Sequence, residues 1–200
     1  MKAARFASIL LVVAARAAVA QHAHSSADAG GAAGDMTMSD EGAMARPHLH
    51  LSPMRVATQA DTARTLEVVR ELRGAIAKYA DTSAAIADGY VFRPRLGRTP
   101  KVYHFTKRQN ALRSAFEFDP AQPTSVLYVR QPDGSLKLLG AMYTAPKRIS
   151  MDDLDARLPL SIATWHQHVG DRFKGGNTAW MVHVNVFAGD DLGTIFKHGH

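Results

Sequence analysis

Ten histidines, eight methionines and no cysteine supply the metal-ligand chemistry of this 200-residue chain. Eight of the histidines form His-x-His pairs: His22/His24, His48/His50, His166/His168 and His198/His200. Imidazole and thioether are borderline and soft donors that suit copper, and imidazole suits zinc equally. The missing cysteine excludes disulfide scaffolds, thiolate zinc sites, iron–sulfur clusters and cysteine nucleophiles. The chain has no Gly-rich phosphate loop, Gly-x-Ser-x-Gly elbow or His-Glu-x-x-His helix. Beyond residue 71 the only glutamate is Glu117, so a hydrolase would draw its carboxylate base from Glu117, Asp171 or another Asp.

Whether two histidines can share an ion depends on the element that carries them. Residues i and i+2 of a strand point to one face. The sequence predicts strands over 101–105, 160–169 and 179–187. On the second of these, His166 and His168 share a face. On the third, Trp180, Val182, Val184 and Val186 suit a core, which leaves Met181, His183 and Asn185 on the other side. On the first, His104 lies opposite Tyr103 and Phe105. If these three strands are neighbours, His104, His166, His168 and His183 meet on one face. Three imidazoles with an open position is a catalytic zinc arrangement, and four nearly close a site. A lone histidine on a strand is ordinarily a hydrogen-bonded structural residue, so the expectation rests on the set. A separation of His104 from His183 well beyond about 6 Å would exclude a shared ion with bonds of about 2 Å.

The remaining pattern is that of one α+β domain, N-terminal helices followed by a mostly antiparallel sheet. Leu66, Val69, Leu72, Ile76 and Tyr79 recur at helical spacing, with Asp61 as N-cap. Asp81 caps a second short helix that Gly89 stops. Residues 91–100 read as an irregular loop. Gln131-Pro132-Asp133-Gly134 is a hairpin turn between strands 125–130 and 136–143, and Ser150 caps a helix over 151–157.

Upstream of the domain (57–200), two further segments are expected. Residues 1–20 carry Lys2 and Arg5, an apolar run and the closing Ala18-Val19-Ala20, the form of a cleavable export signal. Its removal lowers the formal charge from +6 to +3 and puts the mature chain in the periplasm or outside the cell. Nucleic acid is not an expected partner, and no later run is long enough to span a bilayer. Residues 21–56 hold little that can form a core and read as a flexible tail. Its His22, His24, Met36, Met38, Met44, His48 and His50 form an auxiliary set for capturing copper or zinc ions. Between Gly89 and Phe116 the chain is cationic without acids, and Arg93, Arg95 and Arg98 are candidate anion-binding residues.

His166-Gln167-His168 matches the opening of a cupin metal motif, but the glutamate expected next is absent and Asp171 stands there instead. A wider pattern runs from Ala87-Asp88-Gly89-Tyr90 through His104-Phe105, Asp119-Pro120, Leu127-Tyr128 and Leu138-Leu139-Gly140 to Trp165-His166 and Trp180-x-x-His183. In these elements the chain resembles a poorly characterised group of exported bacterial proteins. The resemblance implies a shared architecture and gives His104, His166 and His183 more weight than His168. It implies no reaction.

Three functions stay open on sequence alone. The first is an exported metal-binding protein, for copper or zinc, with a histidine site on the sheet. The second is an enzyme whose metal at the same histidines acts on an anionic small molecule held by the Arg93 region. The third is a metal-free envelope protein with structural histidines.

Overall fold

A computed structural model describes residues 49–94, 99–169 and 178–197, all within one unit spanning 41–200. Thr58 and Asp61 start the first helix as a capping box. The Asp61 N–H donates to the Thr58 hydroxyl (3.2 Å), and the Thr58 N–H donates to the Asp61 carboxylate (2.8 Å). Thr58 is therefore the N-cap, and the expected cap Asp61 sits three residues inside.

In chain order the elements are β1 (Leu49–Leu51), α1 (Gln59–Ile76), a single 3-10 turn (Ala77–Ala80), α2 (Thr82–Ala87), β2 (Val91–Phe92) and β3 (Val102–Thr106). They continue with α3 (Arg108–Arg113), β4 (Ser125–Arg130), β5 (Leu136–Ala145), α4 (Met151–Arg157), β6 (His166–His168), β7 (Trp180–Val184) and α5 (Leu192–Ile195). The class is α+β. Among the described residues seven strands form one antiparallel sheet in the order β1-β6-β7-β5-β4-β3-β2. Val69, Leu72, Ile76 and Tyr79 pack into the core with Val126, Tyr128, Tyr143, Val182 and Trp180. Leu66 is 47% exposed, because Thr65 and Val68 take the inward positions of α1.

The segment expected to be a flexible tail reaches into the fold at its end. β1 pairs with β6, and the Ser52 N–H donates to the Trp165 carbonyl (2.8 Å) while the Ser52 hydroxyl accepts from the Trp165 N–H (3.1 Å). Backbone pairing with the edge of β6 holds this piece, while Leu51 remains 46% exposed. The expected strand over 160–169 contracts to His166–His168. Pro159 begins a turn instead, its carbonyl accepting from the N–H groups of Ile162 (3.0 Å) and Ala163 (2.9 Å). Within the expected loop 91–100, Val91–Phe92 pairs with β3 as a short edge strand.

Near its middle, β5 carries an extra residue. Leu127 faces Gly140 and Tyr128 faces Leu138, so Leu139 has no opposite residue. The core-facing parity switches there, from Leu136 and Leu138 to Ala141, Tyr143 and Ala145. The freed Leu139 carbonyl accepts the Phe187 N–H at 3.0 Å. Beside this bulge, a Cβ built on Gly140 would stand 2.1 Å from the Val184 carbonyl oxygen and 2.7 Å from Asn185 Cα. A bulge next to a glycine under a backbone crossing is how a sheet turns a corner.

Arg55 clamps the other end of the domain. Its guanidinium reaches both Asp61 oxygens (2.6 and 2.7 Å) and both Asp155 oxygens (2.8 and 2.8 Å), which joins the start of α1 to α4. Hydrogen bonds from Arg55 hold the Asp61 and Asp155 carboxyls below the usual carboxylate range.

Two outcomes follow. Gly140→Ala puts a methyl group against backbone that cannot rotate away, and should lower unfolding stability by about 3 kcal/mol in urea denaturation. An unchanged midpoint would contradict the corner. The depressed carboxyls stabilise the fold above their unfolded pKa of about 4, and that contribution is lost as pH falls through the lower folded values. Arg55→Gln should therefore flatten the fall in urea midpoint between about pH 5 and pH 2.

Candidate metal centre

Paired residues across antiparallel strands share a face, so the register shows what surrounds the histidines. His104 of β3 lies opposite Leu127, and Leu127 opposite Gly140. His183 of β7 lies opposite Met142, which in turn faces Ser125. Met181 lies opposite His166 on one side and Thr144 on the other. Leu51 and Leu49 of β1 face His166 and His168. This face is the reverse of the one that packs on the helices. His166 and Leu127 are fully buried on it, Met142 and His183 nearly so, and His104 and His168 half-buried. Leu127 and Met142 are buried apart from the helix-side core.

The expected adjacency of three strands is only partly met. β6 and β7 are neighbours, but β5 and β4 lie between β7 and β3. Three strand spacings in a flat sheet span about 14 Å. Yet the His104 and His183 ring centres are 5.2 Å apart. The sheet therefore curls toward the histidine face, and Gly140 with its bulge sits on the strand over which it curls. From His183 the row continues to His166 (5.6 Å) and from there to His168 (5.6 Å).

Two imidazoles on one tetrahedral ion, with metal–nitrogen bonds of about 2 Å, hold their ring centres about 5 Å apart. The spacings of the row are of that size. As the side chains stand, no three or more His, Asp or Glu among the described residues form a metal-holding group. The rings are tilted by 59°, 88° and 79° along the row. Rotation about the Cβ–Cγ bond of a histidine is intrinsically soft, whereas the strand register that sets these spacings is fixed by backbone pairing.

Backbone contacts fix β6. The Thr178 N–H donates to the His168 carbonyl (3.0 Å), the His168 N–H donates to the Thr178 hydroxyl (2.9 Å), and the Gln167 amide donates to the Thr178 carbonyl (2.9 Å). Nearby hydroxyls pair among themselves: Thr106 of β3 with Ser125 of β4 (2.8 Å), and Thr144 of β5 with Thr124 just before β4 (2.9 Å) and Ser114 just after α3 (3.0 Å).

Other expected ligands fare differently. His50 lies in β1 opposite Gln167, on the far side from His166, and its ring meets Trp180 at 5.2 Å. It is a strand residue and no part of a flexible set. Arg93 is exposed just past β2. His22, His24, Met36, Met38, Met44, His48, Arg95, Arg98, Asp171, His198 and His200 lie outside the described residues. Met142 and Met181 are the ligand-type side chains that sequence reading did not count. Met181 shares the parity of His183 and was open to notice, whereas Met142 joins the face only through the β5–β7 register.

No family model, curated protein or solved structure matches this chain. Among the described residues no helix is long and apolar enough to cross a membrane.

The convergence is open to direct observation. Ring protons of His104 and His183 should give a cross-peak in a nuclear Overhauser spectrum of protein labelled at histidine, since the ring centres are 5.2 Å apart. A flat sheet would give none.

Proposed function

We propose that this is an exported metal-binding protein for copper, with zinc as the weaker ligand, bound on the buried face of the curled sheet. The observation that carries the reading is the row His104–His183–His166–His168, with successive ring centres 5.2, 5.6 and 5.6 Å apart. His183 is the hub, His104 and His166 complete the inner set, and the half-buried His168 stands at the outer end.

Copper is preferred over zinc because of the two thioethers. Met142 lies opposite His183 and Met181 opposite His166. Sulfur from methionine adds affinity for Cu(I) and little for Zn(II). The fully buried Leu127, opposite His104, limits water beside the site, which favours the lower charge of Cu(I). The Met- and His-containing segment between residues 21 and 48 would capture ions and pass them inward. Export accords with the leader-like residues 1–20 and with ligands that use no thiol.

Metal analysis of the full chain, produced without an affinity tag and offered both metals, tests this reading. About one tightly held equivalent of copper should remain after competition with a chelator, and His183→Ala should weaken it by at least about tenfold. Met142→Leu and Met181→Leu together should weaken Cu(I) and leave Zn(II) nearly unchanged. Retention of less than about a tenth of an equivalent would rule the reading out.

A further inference from the structure

Arg157, the last residue of α4, is 9% exposed and stands in none of the five ion pairs among the described residues. A guanidinium has five N–H donors. One of them meets the Ser114 carbonyl at 2.6 Å. A buried cation costs free energy unless it is paired, and burial indeed depresses the Arg157 guanidinium below its ordinary pKa.

Arg157 lines a groove of about 530 Å³ shared with Phe116, Phe118, Ile149, Arg148 and Asp153. The volume lies in the range of small-molecule sites. Phe116 is 91% exposed at this groove, an apolar ring with nothing over it. Asp153 lies one helical turn before Arg157, but its carboxylate accepts from the Ser150 hydroxyl (2.7 Å) and forms no ion pair with Arg157.

These features specify a ligand. Two arginines on a groove walled by Phe116, Phe118 and Ile149 call for a negative group on an apolar body. The planar guanidinium fork matches a carboxylate in two-point contact. The Asp153 charge disfavours a dianion such as a phosphate monoester more than it does a monoanion. We infer that the groove between the segment 115–118, which follows α3, and α4 with its approach 146–149 is a binding site for a small apolar monocarboxylate, with Arg157 and Arg148 holding the carboxylate and Phe116, Phe118 and Ile149 covering the hydrocarbon part. This site is separate from the histidine face and stands whether or not that face binds a metal.

Titration calorimetry on the full chain, with octanoate and 4-phenylbutyrate as probes and octanamide and inorganic phosphate as controls, tests the inference. Both carboxylates should bind with one site, and octanamide and phosphate should bind at least tenfold more weakly. Arg157→Gln should cost tenfold or more in affinity. Because a buried arginine can be needed for folding, Phe116→Ser provides a second variant at a fully accessible position, and it should weaken octanoate several-fold while the urea midpoint stays put. Absence of carboxylate binding, equal binding of octanamide, or unchanged affinity in both variants would overturn the assignment. Copper loading should not alter the affinity.

Discussion

Everything at the histidine face depends on bending a β-sheet across β5. A sheet twists by itself, but twist does not bring strands three places apart to within side-chain reach. Here that happens because Leu139 is an extra residue and Gly140 has no Cβ. The unpaired Leu139 carbonyl is taken up by the Phe187 N–H, so the bulge leaves no unsatisfied acceptor there. Gly140 lets the Val184–Asn185 backbone cross at a distance no side chain would allow. The same bulge keeps both halves of β5 facing the core, since it changes parity between Leu138 and Ala141.

The bend gives the sheet two unlike interiors. The helix-side face is an ordinary apolar core of Leu72, Ile76, Tyr128, Val182 and their neighbours. The other face buries imidazoles, thioethers and hydroxyls. Burying such groups is costly without partners, and the Thr106 hydroxyl meets that of Ser125 while the Thr144 hydroxyl meets those of Thr124 and Ser114. A fold whose only demand was stability would gain more from leucine than from histidine on this face. On the proposed reading, the imidazoles and thioethers of this face would hold an ion in common.

Much of this was legible in the sequence. Short helices with strong side-chain caps are written locally, so Asp81 and Ser150 mark α2 and α4 where the structure has them. The Gln131–Gly134 turn and its two strands are equally plain, with Gly134 at φ +88°. Strand parity put His166 with His168 and His183 with Met181 correctly. Strand order was not legible, because pairing is set by tertiary packing and the histidines of β3 and β7 reach each other over two intervening strands. Nor was α3, whose Arg108–Arg113 run has no apolar stripe and no side-chain cap. Its buried residue is Asn110, which donates to the Tyr90 hydroxyl and the Pro123 carbonyl. Arg157 was missed for a related reason, since an arginine at a helix end is ordinarily a solvated charge at the negative pole of the dipole.

The central claim is that the curled sheet makes one metal centre from residues far apart in sequence. Anomalous diffraction at the copper edge, on crystals of the copper-loaded full chain, tests it most directly. The account predicts a strong peak about 2 Å from imidazole nitrogens of His104, His166 and His183, with Met142 or Met181 sulfur close by. Copper located elsewhere, with the space between these rings empty, would contradict it.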